Sequence, residues 1–314
     1  MAAIELDAVT KQYNDVTALQ ECNLTVEEGE VYGFLGPNGA GKSTTINILL
    51  DFIRPTAGRV QVLGHDAQKE TQQIHERVGV LPEGFSTYGR LTGRQHLNFA
   101  IGCKQANDDP DALAERVNIV DALDRRASGY SKGMSQRLVL AMALVGQPDL
   151  LILDEPSTGL DPAGTREMRE IIREEQARGA TVLFSSHILD QVESVCDRVG
   201  ILHDGGLVAE DTVEGLREAA QAEAMLHIEV EHLPDNTLAK VRSLSGVSEV
   251  SANGTTIHVS CGDSSKTAVL TTLDDVGTSV IDITTEDASL EELFMNYTAK
   301  QSSQSGKADP EARA

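Results

Sequence analysis

Apolar residues in this chain arrive in two alternating rhythms. Short unbroken runs at 31–35, 78–82, 150–154, 181–184 and 198–202 read as strands buried on both faces. Between them, 71–77 and 162–178 repeat apolar positions at the spacing of an amphipathic helix. Strands alternating with helices predict a mostly parallel sheet with ligands at the C-terminal edge of its strands. Three regions depart from that pattern. At the start, 4–9 alternate as a half-buried strand, 11–15 read as a turn, and 23–26 as a second strand. Between 88 and 145 the strands stop. There 92–101, 111–117 and 131–145 carry helical spacing, separated by polar breaks such as Gln105-Ala106-Asn107-Asp108-Asp109-Pro110, so a helical insertion is expected.

The third change comes near residue 220. Strands are expected at 226–230, 247–251, 256–260 and 279–283, and helices at 237–245, 268–275 and 289–297. Ala252-Asn253-Gly254-Thr255 is a hairpin signal between the middle strands. The order β-α-β-β-α-β fits a small ferredoxin-like module over 220–299. The tail, 300–314, is small and polar and is expected to be disordered.

The run at 31–35 leads straight into Gly36-Pro37-Asn38-Gly39-Ala40-Gly41-Lys42-Ser43-Thr44, and an apolar helix start follows. This is the phosphate-binding pattern G-x-x-x-x-G-K-[ST]. Glycines let the backbone curl its N–H groups towards phosphate oxygens, and the helix N-terminus adds positive partial charge. Lys42 is placed to reach the β- and γ-phosphates, and the Ser43 hydroxyl to sit on Mg²⁺. The strand at 150–154 ends in Asp154, a carboxylate able to hold Mg²⁺ opposite Ser43. Glu155, one position on, is displaced from the metal and suited to polarise the attacking water. His187 follows the strand at 181–184 in the same row and can touch the γ-phosphate. Glu83 follows the proline that ends 78–82. Gly129-Tyr130-Ser131-Lys132-Gly133-Met134 opens a further helix; it reads either as an ordinary N-cap or as a second anion-binding end serving another subunit's nucleotide. Tyr13 reads either as a hairpin tyrosine or as a stacking face for a purine.

Composition narrows the partners. The chain has 314 residues, room for one large or two modest domains, and 40% hydrophobic residues, enough for a real core. Its 49 acidic against 26 basic residues give a net charge of −23, which argues against nucleic acid as the main partner. Acidic bias with few lysines also resembles proteins of salt-loving organisms, whose self-repulsion is screened by salt. Cys22, Cys103, Cys196 and Cys261 are scattered without metal or redox spacing and read as free thiols in a reducing compartment. No run is long enough to span a membrane and no leader pattern is seen, so a cytosolic protein is expected, reaching the membrane only through a partner.

Together these motifs resemble the nucleotide-binding subunit of an ATP-binding cassette (ABC) transporter over roughly residues 2–218. The resemblance implies a P-loop ATPase with a parallel sheet core, an antiparallel β subdomain and the helical insertion at 88–145. It assigns Tyr13 to adenine stacking, Tyr130-Ser131-Lys132-Gly133-Met134 to the signature loop, Leu150–Asp154 to the Walker B strand and Glu155 to the catalytic carboxylate. Gly159-Leu160-Asp161 matches the D-loop and His187 the switch histidine. Two positions depart. Glu83 stands where the family has its Q-loop glutamine, and Lys132 and Met134 replace a glycine and a glutamine of the signature. Both departures, and the module after 220, look like the daunorubicin-resistance branch, whose membrane partners are of the ABC-2 type. The resemblance implies ATP and Mg²⁺ as ligands, an export permease as partner, and a head-to-tail homodimer in which Ser131 and Gly133 of one subunit cap the γ-phosphate held by the other. A soluble cassette ATPase of translation or DNA repair is the alternative. It fits less well, because the chain has a single phosphate loop and no heptad run between Ser43 and Ser131. A P-loop kinase or GTPase leaves the signature loop unexplained.

Overall fold

The computed structural model describes residues 1–219, 224–234, 236–262 and 265–286. The chain divides into two compact units, Met1–Val213 and Glu214–Ala314. The first unit opens with β1 (Ala2–Tyr13) and β2 (Val16–Glu27), which pair antiparallel. The strand β1 runs through the region expected to turn, and only Asn14 and Asp15 reverse the chain. Backbone kinks hide this from the period-two pattern. Ala8 and Glu21 adopt left-handed φ angles of 47° and 43°, and register shifts occur between Leu6 and Lys11. Side chains satisfy the freed donors there: Ala8 N–H donates to Asn23 Oδ1 (2.9 Å) and Glu21 N–H to Thr10 Oγ1 (3.1 Å).

The next elements are β3 (Val31–Leu35), α1 (Lys42–Leu49), β4 (Ala57–Val62), β5 (His65–Asp66), α2 (Thr71–Arg77) and β6 (Val78–Leu81). The strands β4 and β5 complete a sheet of order β2-β1-β4-β5, the expected antiparallel subdomain. The helical insertion follows as α3 (Gly93–Lys104), α4 (Pro110–Arg116) and α5 (Lys132–Ala143). Its boundaries come from caps: Thr92 and Gln95 form a reciprocal capping box on α3, and the Ser131 hydroxyl accepts Met134 N–H at the start of α5.

The chain then returns to β7 (Leu150–Asp154), α6 (Pro162–Ala177), β8 (Thr181–Ser186), α7 (Leu189–Glu193), β9 (Arg198–His203) and β10 (Gly206–Thr212). The central sheet has the order β10-β9-β3-β8-β7-β6, parallel except for the hairpin of β9 and β10. Every residue of β3, β7 and β8 is buried, as their unbroken apolar runs require. The register puts Leu35 beside Ser186, Asp154 beside Ser185 and Leu81 beside Leu153. The parallel strands β3, β6, β7 and β8 therefore release their chains at one edge. An unexpected short helix, α8 (Val213–Ala219), ends this stretch; it buries Val213 and Leu216, too few apolar positions to stand out in the sequence.

In the second unit, β11 (Ala224–Val230), α9 (Thr237–Arg242), β12 (Val247–Asn253), β13 (Thr256–Cys261), α10 (Lys266–Asp275) and β14 (Val280–Glu286) form an antiparallel sheet of order β12-β13-β11-β14. This is ferredoxin-like topology. Leu226, Ile228, Ile257, Val259, Val269 and Leu273 form its core. The helix expected at 289–297 and the tail lie outside the described residues.

Candidate functional site

The phosphate loop leaves β3, the strand flanked by β8 and β9. Its glycines are required where they stand. A Cβ on Gly36 would lie 2.5 Å from the Leu202 carbonyl oxygen, and Gly41 holds a left-handed φ of 113° as the N-cap of α1. Ala40 N–H donates to Pro37 O (3.1 Å), and Gly205 N–H donates to Ala40 O (3.0 Å), tying the loop to the β9–β10 hairpin. Asn38 and Gly39 lie exposed at its crest, with Thr44 half-buried in the first turn of α1.

Lys42 turns back under this loop. It is only 6% exposed, and its ammonium donates to Gly36 O at 2.5 Å and Pro37 O at 3.4 Å. Glu155 Oε1 lies 3.9 Å away. Glu155 is itself buried and has a left-handed φ of 49°, an uncommon state for a residue with a side chain. Its N–H donates to Ser185 O (3.2 Å) and Ser185 Oγ (3.1 Å), which fixes the kink. His187 Nδ1 lies 2.8 Å from Glu155 Oε1, with about half of the histidine side chain exposed. The carboxylate is thus shared between a buried ammonium and an accessible imidazole.

Asp154 is buried beside it and accepts a short hydrogen bond from the Ser185 hydroxyl. Burial pushes its carboxyl above the usual carboxylate range, the charges of Glu83 and Glu155 push the same way, and Ser185 and Lys42 oppose them. Glu83, exposed after β6, accepts from Ser43 Oγ at 3.5 Å. Ser43, Asp154 and Glu83 offer hard oxygen donors, the chemistry that suits Mg²⁺.

The other expected residues sit elsewhere in the first unit. Ser131 is exposed and caps α5. Gly133 lies against the D-loop, where a Cβ would be 3.1 Å from Gly159 O; the stem of Lys132 covers Gly159. Asp161 caps α6 by accepting Gly164 N–H (2.8 Å). Its carboxylate therefore holds a helix end rather than facing the phosphate loop, because Pro162 at the first helical turn places Asp161 at the N-cap. Tyr13 ends β1 with 43% of its surface exposed, and Lys11 Nζ lies 4.8 Å from its ring centroid. Sequence reading missed Ser185, whose hydroxyl serves both carboxylate-bearing residues. The available signal was a pair of serines closing an otherwise apolar run.

A phosphate loop on an inner parallel strand, with two buried carboxylates and a histidine on neighbouring strand ends, defines a P-loop ATPase of the cassette type. A family model described as ABC transporter matches residues 19–158. A daunorubicin resistance ATP-binding protein of Streptomyces coeruleorubidus is 33% identical over 305 residues, covering 94% of this chain and 95% of the relative. A bacitracin transport ATP-binding protein of Bacillus licheniformis is 39% identical over 219 residues, 68% of this chain and 71% of that protein. Among solved structures, an ATP-binding subunit of an ABC transporter superposes with a TM-score of 0.64 at 29% identity, over 69% of this chain and 92% of that one. The chain belongs to the ABC transporter ATP-binding family. It binds and hydrolyses ATP to power transport, and these relatives lend the translation or repair alternative no support.

Proposed function

We propose that this chain is one of two identical ATPase subunits that drive an ABC-2-type permease, working in export. The observation that carries this reading is a split site: Lys42, Asp154, Glu155 and His187 converge, while the Ser131 loop stands exposed on α5. In a head-to-tail dimer, Ser131 and Gly133 of each subunit cap the γ-phosphate in the other. The phosphate loop, Gly36 to Thr44, wraps the phosphates, and Tyr13 backs the adenine. Ser43 and Asp154, with Glu83 beside them, hold Mg²⁺, which offsets phosphate charge when bound. Glu155 accepts a proton from the attacking water through its carboxylate. His187 orients that carboxylate through Nδ1, and Lys42 balances charge on the transferring group. Asp161 contributes by holding the D-loop to α6.

An apolar groove lined by β6, α3, α5, His75 of α2 and the segment after α1 supports a membrane partner. It encloses about 310 Å³, with Phe52, Phe85 and Phe99 on its wall. Phe52 and Phe99 are each 64% exposed, a large apolar surface with no cover from this unit. None of the described helices is long and apolar enough to cross a membrane. A cytoplasmic subunit seated on the inner membrane face through its permease accommodates both facts. The relatives that confer daunorubicin and linearmycin resistance favour export.

Glu155→Gln is the direct test. It keeps the size of the side chain and removes the base, so turnover falls by about a hundredfold or more while ATP and Mg²⁺ hold the subunits as a dimer in light scattering. Wild-type hydrolysis in that variant would reject Glu155 as the base. Wild-type turnover that does not fall on dilution would reject the shared site.

A further inference from the structure

Two loops meet beside this site, and one side chain joins them. The first is the segment that leaves Glu155. Gln136 on α5 donates to Pro156 O at 2.9 Å, so the helix carrying the signature loop grips this segment directly. The next residue, Ser157, is buried and donates its hydroxyl to Gln191 Oε1 in a short hydrogen bond. The second loop carries His187. Its Ser186 hydroxyl accepts Ile188 N–H (3.0 Å) and donates to the same Gln191 Oε1 at 3.4 Å. Gln191 lies on α7, anchored from below by Ser194 Oγ donating to its carbonyl at 2.9 Å.

We propose that Gln191 is a positioning residue, a latch that couples the Pro156-Ser157 segment to the His187 loop. An amide oxygen has two lone pairs, and here both are used by hydroxyls from different loops. Ser186 is already committed as an acceptor to Ile188 N–H, so its proton points at Gln191. A displacement of α5 passes through Gln136 to Pro156, from Ser157 to Gln191, and from Ser186 to the backbone of Ile188. His187 lies between Ser186 and Ile188, and its Nδ1 meets Glu155 on the far side. The latch closes a ring that starts and ends at Glu155. Its effect is on the orientation of the imidazole, with no contact to the nucleotide required.

The inference rests on His187 orienting Glu155, and the test separates the two. ATP hydrolysis by the full chain is measured at saturating protein concentration for Gln191→Met, Gln191→Glu, His187→Ala and the double variant His187→Ala with Gln191→Met. Methionine keeps the length and loses the acceptor; glutamate keeps the acceptor. The latch predicts a kcat about fivefold lower for Gln191→Met with KM for ATP within about twofold of wild type. It also predicts recovery to within about twofold for Gln191→Glu, and no further loss when Gln191→Met is added to His187→Ala. Melting temperatures of all four confirm that the compared proteins are folded. Wild-type kcat in Gln191→Met, equal loss in the methionine and glutamate variants, or an additive loss in the double variant overturns the latch. Wild-type turnover in His187→Ala overturns the role of His187 itself, and the latch with it.

Discussion

The two units bury very different things. In the first, Lys42, Asp154, Glu155 and Glu175 are all less than a tenth exposed. In the second, the buried polar residues among those described are Thr237, Ser265 and Thr278, none of them charged. Buried charge is costly unless paired, so its presence asks for a reason. Glu175 has a structural one: Arg116 and Arg178 approach it at 2.9 and 2.7 Å. The site has no such balance: against Asp154, Glu155 and the nearby Glu83 stand the Lys42 ammonium and, on Glu155, the half-exposed His187 imidazole. A negative surplus of this kind is a standing demand for a cation. The second unit carries no such demand among its described core residues, whose cluster is apolar.

The strongest way to break this contrast is to remove the buried ammonium. Lys42→Ala is expected to weaken ATP binding by about a hundredfold, measured by titration with a fluorescent nucleotide. Retained affinity would mean that the loop backbone alone sets binding. A core truncation in the second unit should show the opposite character. Ile228→Ala leaves a cavity among Leu226, Val259 and Leu273 and is expected to cost about 3 kcal/mol in denaturant unfolding, with ATP affinity unchanged. A shift in affinity would show that the units do not divide labour as their cores suggest.

The smallest effect sharpens the comparison most. Asp154 has its carboxyl raised by burial and by neighbouring negative charge. A raised carboxyl favours folding while protonated, below the range of an unfolded aspartate, and that stability is lost as pH rises through the folded value. Ionised Asp154 is therefore a burden at neutral pH. Asp154→Asn is expected to stabilise the metal-free protein by about 1 kcal/mol near pH 7.5, with the gain shrinking as pH falls through the raised folded value and gone below the range of an unfolded aspartate, about pH 4. Calorimetry in EDTA measures it. A loss of stability at neutral pH would contradict this account of the site.

Most of the site was legible because parallel strands end on one edge. Once 31–35, 150–154 and 181–184 are read as neighbouring strands, the phosphate loop, Asp154, Glu155 and His187 must share a rim. The cap at Ser131 was readable as one of the two uses open to a serine before a helical run. What stayed hidden depends on bonds between distant segments. The sequence shows that Ser185, Ser157 and Gln191 are polar, but not that the Ser185 hydroxyl meets Glu155 N–H or that the Ser157 hydroxyl meets the Gln191 amide, each across thirty or so residues. The length of β1 was hidden for a different reason. Its bulges at Ala8 and Val9 shift the side-chain alternation, so a twelve-residue strand reads as a short one. Asp161 shows a use that the family motif does not display: Pro162 beside it makes it the cap of α6.

The ammonium of Lys42 already has company in the loop it serves, through the carbonyl oxygens of Gly36 and Pro37. Nucleotide entry is then a trade of partners rather than the filling of a vacancy. The lysine gives up neutral oxygens for charged ones, so only the difference between the two sets registers as affinity. Such an exchange filters ligands by charge density. A weakly charged or diffuse anion gains little over the carbonyls and leaves the lysine where it is, whereas a triphosphate outbids them.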